Sequence, residues 1–566
     1  MGQTSEFNTG NKPLAPGDLV PRSSQNHRTN PQGSLEPRPE ESHVGVRLPC
    51  QGQTTARSWF PNNAPRAEEV PYLFPPLLTR EFKSVTNKEV LDTLKECSSD
   101  NAPGISGITY CVWKWVALVA PDQLISVVRA SIKLQVHHPS WKQALVAVIP
   151  KNNKKDMALP KSHHPIQLIE CLCKLVKKIV AQWITYNLGQ YKLMPFNQFG
   201  SRSNSSCLDT AMALTHDIHS AREKNLVSSF LAVDIKGFFD HVDHNRLISV
   251  LIHLGFPLEI MDWVESFLSE RFVRVQVDDC IGELHPQKVG APQGSPVSPI
   301  FACVYSSIVL VLLNRFPIFD KTGSDSIPVA PRTLVDDYRF LACSQDLETN
   351  IFTLRKTLEY AVDILLQIGM KIDPDKCNLM HFTWRRGSPA LGHHKNPLLV
   401  TRLYRERIII TAPKSIRWLG FHLDCKLSFT HHVPTLTKKG VAIVNGLKVL
   451  GNTIAGIGPA NLRHLCKTVV VPAITYGAPL WFNPDKPNRK LVRKLEQVQH
   501  KALLQITGGF YDLPAEALQF LTYIPPITST LTKLFSSAAT CIPRLPLSSE
   551  VTKRLPSSFL RSVLTL

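Results

Sequence analysis

The chain has thirteen cysteines but no CxxC pair and no Cys/His knuckle. Neither a zinc site nor a disulfide framework is indicated, and a reducing intracellular compartment, nucleus or cytoplasm, is the simplest reading. No apolar run is long enough to span a bilayer. The longest, around Ile308 and Leu313, falls well short of the roughly 20 residues required. The chain does not open on a basic-then-apolar secretion signal, because Met1 is followed by Gln, Ser, Asn and Pro. Acid is the scarce charge: 45 Asp+Glu face 64 Lys+Arg, a net of +19 over 566 residues. That excess points to a polyanionic partner, nucleic acid before an anionic membrane. Hydrophobic residues make up 43%, which excludes a wholly disordered chain. The length suggests three or four structural units at roughly 150 residues each.

The charge is unevenly placed. Residues 1–80 hold eight Lys/Arg and seven Asp/Glu, so the excess lies downstream. Residues 426–506, with Lys438, Lys439 and Lys448, carry twelve basic residues against two acids. Residues 151–178, with Lys151, Lys174, Lys177 and Lys178, carry seven against two. Each cluster alone reads as a solvated helical face. Two of them flanking an acidic centre read better as the walls of a duplex channel, and this placement argues against a membrane.

Residues 1–70 are rich in Pro, Gly, Ser, Asn and Gln and read as a disordered leader. Thr86-Asn-Lys-Glu89 is a capping box ahead of Val90, Leu91 and Leu94 at helical spacing. Strands are expected over Ala144–Ile149, Ser228–Ile235 and Phe272–Val277. Helices are expected over Cys173–Ile184, Arg246–Leu268, Pro299–Leu313 and Leu347–Leu366. Residues 386–412 read as a loop or hairpin insert, and a strand followed by several helices begins at Trp418.

The chemistry starts from one acid ending an apolar strand, Leu231-Ala-Val-Asp234. An acid doublet, Thr333-Leu-Val-Asp336-Asp337-Tyr338, follows about a hundred residues later. A doublet between two β-prone triplets fits a hairpin tip, where two carboxylates project together. With Asp234 beside that tip, the carboxylates suit two Mg²⁺ ions roughly 3.5–4 Å apart. A second doublet, Asp278-Asp279, reads as an ordinary hairpin turn. Gly290-Ala-Pro-Gln-Gly-Ser-Pro-Val-Ser-Pro299 is a rigid loop that launches an apolar helix, with Ser298 as cap and Pro299 in the first turn.

The order Asp234…Phe239-Asp240, Pro292-Gln-Gly-Ser295, Val335-Asp-Asp337 resembles the successive palm motifs of reverse transcriptases. The flanks resemble the non-LTR (LINE-type) retrotransposon branch. They are Ala102-Pro-Gly…Gly107-Ile108, Pro160-Lys-Ser-His-His-Pro-Ile166, Gln198-Phe-Gly-Ser-Arg202, Gly369-Met-Lys-Ile…Pro374-Asp-Lys376 and Trp418-Leu-Gly-Phe-His-Leu-Asp424. Tyr476-Gly477 and Leu495-Glu-Gln-Val498 extend the series, which covers roughly residues 85–540. The resemblance implies an α+β right-hand polymerase: fingers and first motifs in 71–205, an antiparallel palm in 206–385, a helical thumb in 413–510 and a helical extension over 511–566. It implies Asp234 and Asp336 as metal-binding carboxylates with Asp337 beside them, and Mg²⁺ as cofactor with Mn²⁺ as a substitute. Phe239 would exclude a 2′-hydroxyl, Gln293 and Gly294 would line the nucleotide pocket, and Lys376 would help protonate pyrophosphate. The partners would be an RNA template, a DNA primer and dNTPs.

The sequence departs from that pattern. The fingers motif usually reads Tyr-Arg-Pro-Ile, and its arginine grips the triphosphate; here those places are His163 and His164. Histidine is largely neutral at pH 7 and has no bidentate fork, so the grip weakens unless Lys151, Lys154 or Lys155 compensates. Ser106 replaces the usual Asp of the first motif, and Leu334-Val335 replaces the Tyr-Ala before the doublet. The chain is expected to lack the endonuclease and RNase H functions of larger element proteins. The alternative to a polymerase is a decayed element copy that only binds RNA and DNA.

Overall fold

The computed structural model describes residues 78–541 except 152–155, 157, 160–161, 203–204, 278–279, 316–328, 330, 386–398, 405 and 452–455. The leader expected over 1–70, Lys154, Lys155, the Asp278-Asp279 doublet, the first part of the 386–412 insert and the end of the C-terminal extension lie outside the described residues.

The first helix, α1 (Asn87–Lys95), begins at the capping box read from the sequence. The Thr86 hydroxyl accepts the Glu89 N–H and the Glu89 carboxylate accepts the Thr86 N–H. After α2 (Tyr110–Val119) and α3 (Pro121–Lys133) come the strands β1 (Gln143–Pro150) and β2 (His163–Leu168). The helices α4 (Cys171–Gln190) and α5 (Cys207–Glu223) precede β3 (Val227–Val233). The single helix expected over Arg246–Leu268 is two, α6 (His244–His253) and α7 (Leu258–Leu268). Gly255 at φ +80° turns the chain, and Pro257 cannot continue a helix. Next are β4 (Arg271–Val277), β5 (Cys280–Ile281), β6 (His285–Gln287) and α8 (Ser298–Arg315). Then follow β7 (Arg332–Leu334), β8 (Asp337–Ser344), α9 (Leu347–Gln367) and β9 (Asn378–Phe382). Two hairpins come next: β10 (Leu399–Leu403) with β11 (Glu406–Ile410), and β12 (Ser415–Trp418) with β13 (Phe421–Asp424). The remainder is helical: α10 (His432–Leu450), α11 (Pro459–Leu465), the short α12 (Val471–Ile474) and α13 (Ala478–Trp481), α14 (Arg489–Thr507), α15 (Ala515–Thr522) and α16 (Ile527–Cys541).

Four strands form an antiparallel sheet in the order β7-β8-β3-β9. Every residue of β3 is buried, because both faces of the sheet are covered. Leu231 and Val233 face the core built on α8 and α9, while Phe230 and Ala232 pack with α5 and the β12–β13 hairpin. A strand buried on both faces need not alternate: Phe230 to Val233 is a continuous apolar run, and the buried Ser228 and Ser229 hydroxyls pair with Cys343 and His381. A second sheet runs β2-β1-β4, with β5 and β6 both on β4. Thus β4 pairs with β1 rather than with β3 and carries β5 and β6 with it, although all three fall within the 206–385 span. Val277 and Cys280, on either side of the Asp278-Asp279 doublet, are paired antiparallel.

Helix α8 has the length and apolarity to cross a membrane, but 78% of it is buried inside the protein. Here it is the core rod under the four-stranded sheet. Helices α10, α11, α14, α15 and α16 bury a separate core around Leu495, Leu503 and Leu531.

Where α4 meets α7, the basic-face reading of α4 fails. Lys177 is 1% exposed, with its ammonium 4.4 Å over the Phe267 ring. Beside it His137 is also buried, ringed by Trp141, Trp263 and Phe267 at 5.4–5.7 Å between centroids. Burial, aided by the Lys177 and Lys142 charges, pushes the His137 imidazole down to about 2. The unfolded chain takes a proton there near pH 6.5, whereas the folded chain does not, so acid favours unfolding. Between pH 6.5 and 5 this site alone should remove roughly 2 kcal/mol of stability. Chemical denaturation of His137→Phe should show a shallower stability loss over that window by about this amount. An unchanged slope would mean that His137 is protonated in the folded state.

Candidate catalytic site

Asp234 is the first residue past β3, at the end of a ladder in which Val233 pairs with Tyr338. The ladder continues from Tyr338 to Asp337 at the start of β8, where Asp337 pairs with Leu334 across a two-residue turn of Val335 and Asp336. Two strands therefore bring a lone acid and a distant doublet to one sheet edge, as the sequence pattern required. The segment before β9 closes the site from the other side. The Asp373 N–H donates to the Asp234 carbonyl (2.9 Å) and Ile235 bridges Ile372. This sets Lys376 with its Nζ 2.6 Å from Asp234 Oδ2 and 3.2 Å from Asp373 Oδ2.

The electrostatics follow from crowding acids at a half-buried edge. Burial raises the Asp336 carboxyl above its ordinary value, and the Asp234 charge adds to it. Burial, then Asp336 and Asp234, push Asp337 up to about 6. Burial works against the Lys376 ammonium, but its bonds and charge pairing with Asp234 and Asp373 outweigh this and hold its pKa above the usual lysine value. Excess negative charge relieved by one ammonium is a donor set that suits hard cations with oxygen ligands. Among the described residues, no three His, Cys, Asp or Glu side chains are already gathered tightly enough to enclose an ion. The chemistry of Asp234 and Asp336 fits a divalent metal; the side chains as they stand are arranged around lysine.

The Gly290–Pro299 loop meets the chain five residues after Asp234. The Ala291 N–H donates to the Phe239 carbonyl (2.7 Å), and the Gln293 carbonyl accepts the Gln167 N–H of β2 (3.0 Å). The loop thus ties the segment after β3 to the β1–β2 hairpin. Gly294 sits at φ +118°, and a Cβ there would fall 2.5 Å from the Gln167 carbonyl oxygen. Phe239 is half-buried against the main core, 6.0 Å from the Phe238 ring.

Arg271, which opens β4, anchors the loop from beneath. Its guanidinium donates to the Gly290 and Val289 carbonyls and to Gln287 Oε1 at 2.5–3.1 Å. Burial raises the Asp240 carboxyl and lowers the Arg271 guanidinium, and each charge partly offsets the other's shift. Arg339 of β8 is buried too, donating to the Thr210 carbonyl (2.6 Å) and lying 5.0 Å over Trp418. Neither arginine was singled out from the sequence. For Arg339 the available signal was a charge within an apolar strand, two residues after Asp337 and so on its face.

The remaining expected residues divide. Lys438, Lys439 and Lys448 are exposed on α10. Of the three α4 lysines, Lys174 and Lys178 are half-exposed and only Lys177 is withdrawn from the surface. Lys177 is buried, Lys174 donates to the Ala102 carbonyl (3.0 Å) and Lys178 pairs with Glu96 (3.0 Å). Lys177 was misread because basic residues at helical spacing look alike whether they face solvent or a neighbouring helix. His164 is exposed on β2, and burial together with the Lys151 charge keeps it below the usual histidine value. Ser106, in place of the expected Asp, donates to Glu170 (2.5 Å), which holds the first-motif loop against α4.

Residues 149–423 match the family model described as reverse transcriptase (RNA-dependent DNA polymerase). The chain is 24% identical over 430 residues to the probable RNA-directed DNA polymerase from transposon BS of Drosophila melanogaster, covering 76% of this chain and 45% of that protein. It is 24% identical over 435 residues to the RNA-directed DNA polymerase from mobile element jockey of the same organism, covering 76% and 44%. The chain spans under half the length of these curated relatives. A solved apo telomerase from Candida tropicalis, truncated from the C-terminal domain, shares 14% identity at a TM-score of 0.34 over 56% of this chain and 59% of that one.

Gly294→Ala should destabilise the protein by on the order of 1–3 kcal/mol in chemical denaturation, since an L-residue is strained at that φ. Gly446→Ala is the control: it lies in α10 with open space around it and should gain roughly 0.5–1 kcal/mol. Equal effects at the two positions would show that the Gly294 approach to β2 is not tight.

Proposed function

We propose, from the premise that residues 149–423 are a reverse transcriptase domain, that this chain is an RNA-directed DNA polymerase of the non-LTR retrotransposon kind. It would extend a DNA 3′-hydroxyl on an RNA template with dNTPs. The observation that carries this reading is the convergence of Asp234 with the Asp336-Asp337 turn at the end of one buried ladder. The fingers would lie within 71–205, the palm within 206–385 and the thumb within 413–510, with the exposed α10 lysines along the duplex.

Asp234 and Asp336 would hold divalent ions, two in number with Mg²⁺ or Mn²⁺, whose chemistry is activation of the primer hydroxyl and neutralisation of the leaving pyrophosphate. The chain's own groups do the positioning. Gln293 and Gly294 would line the nucleotide pocket on the loop fixed between β2 and Phe239, excluding water by close backbone packing. Phe239 would press on the sugar and reject a 2′-hydroxyl. Lys376, displaced from Asp234 when an ion binds, would be free to give its Nζ proton to pyrophosphate. Lys151 would supply phosphate contact where His164 lacks the arginine fork. Basic residues around an acidic floor also draw the polyanion in, with affinity that falls as salt rises.

Primer extension by the full chain on an RNA template with Mg²⁺ or Mn²⁺ should yield DNA. Asp336→Asn should slow it on the order of 10³-fold, as loss of a charge-stabilising ligand does. No product with either metal would leave a protein that only binds RNA and DNA. Phe239→Val should let rNTPs in while dNTP incorporation persists. Undiminished dNTP selectivity in that variant would remove Phe239 from the gate.

A further inference from the structure

The turn that carries Asp336 is built on an unfavourable residue. Val335 has φ +64°, at the first position of a two-residue hairpin turn. Hairpins usually put glycine where φ is positive, and a β-branched side chain there is a marked outlier. Such a residue is strained and persists only where its surroundings hold it.

What holds it is a segment more than 130 residues away in sequence. Residues 197–200 lie alongside β7: Gln198 bridges Thr333 in parallel, the Phe199 N–H donates to the Thr333 carbonyl (2.8 Å) and the Thr333 N–H to the Asn197 carbonyl (3.0 Å). The Gln198 side chain is fully buried. Its Oε1 accepts the Val335 N–H (3.3 Å) and the Gly200 N–H (2.9 Å). Its Nε2 donates to Ser306 Oγ on α8 (2.7 Å), which fixes the amide orientation. Ser306 is itself tied to the ladder, since its carbonyl accepts the Tyr338 hydroxyl (2.9 Å). Gly200 completes the bracket, because a Cβ there would fall 2.5 Å from the Val335 nitrogen.

We propose that Gln198 is a positioning residue: it holds the left-handed Val335 backbone so that Asp336 projects toward Asp234. It touches neither substrate nor metal. This rests on the reading of Asp336 as a reacting-site carboxylate, but the hold on Val335 is separable from it. An unheld turn would relax Val335 toward negative φ and swing Asp336 away. A misplacement of about 1 Å is enough to cost on the order of 10²-fold in rate.

The test uses the full chain carrying Gln198→Leu, with Gly200→Ala as a second variant that crowds the same turn while keeping the Gln198 side chain. Hydrogen–deuterium exchange over residues 331–338, which needs no activity, should show the Val335 amide protected in the parent and at least tenfold faster exchanging in either variant. In primer extension Gln198→Leu should lower kcat on the order of 10²-fold, leave the dNTP KM within about threefold and raise the Mg²⁺ concentration for half-maximal rate. Adding Val335→Gly, which is at ease with positive φ, should restore most of the lost kcat, a rescue no general packing defect would give. Unchanged exchange at Val335 in both variants, or a double variant no better than Gln198→Leu alone, would overturn the proposal. If the parent makes no DNA with either metal yet exchange rises in the variants, the bracket stands and the polymerase reading falls.

Discussion

Seven antiparallel pairs between β3 and β8, from Val227–Ser344 to Val233–Tyr338, bear the weight of the molecule. Like charges repel, and three carboxylates stay close only if the chain that carries them cannot retreat. A ladder buried on both faces supplies that rigidity. Its residues have no solvent to relax into, and its end is fixed by α8 beneath and by the Asp373 amide beside it. The raised Asp336 and Asp337 carboxyls are the electrostatic record of that confinement. Lys376 reduces the strain without removing it, since one ammonium is shared between Asp234 and Asp373.

The neighbouring parts are fitted to this edge by backbone contacts more than by side chains. The Gly290–Pro299 loop meets Phe239 on one side and β2 on the other through main-chain hydrogen bonds. Such bonds tolerate side-chain change while demanding glycine where two backbones nearly touch. The seat of the loop on β2 therefore does not depend on the side chain that His164 presents from that strand.

Charge is put to two uses that composition cannot distinguish. On α10 it stays in solvent, where Lys438, Lys439 and Lys448 are exposed. Inside, Lys177, Arg271 and Arg339 are wholly buried and act as structural donors or cations over aromatic rings. Burying a charge is costly unless its hydrogen bonds are found: Arg271 finds acceptors for every guanidinium nitrogen, whereas Arg339 finds one for Nη1 and none for Nε or Nη2 among the described residues. The net charge of +19 therefore overstates what a nucleic acid would meet.

Much was legible in the residues themselves. The Thr86 capping box, the strand ending at Asp234, the hairpin carrying Asp336 and Asp337, and the long helices at 299 and 347 depend on local periodicity and turn chemistry, which the chain carries wherever it goes. The two-helix break at Gly255 and Pro257 was equally local and was missed by weighing apolar spacing over the breakers. Other features were beyond reach, because they are meetings of distant segments. Only packing could turn Lys177 inward, pair β4 with β1 rather than β3, or set Arg271 under the Gly290 carbonyl. Only packing could bring Gln198 to the amide of Val335. Sequence determined which groups the site has; tertiary structure decided which of them face one another, because burial and hydrogen-bond satisfaction are properties of the neighbours a residue is given.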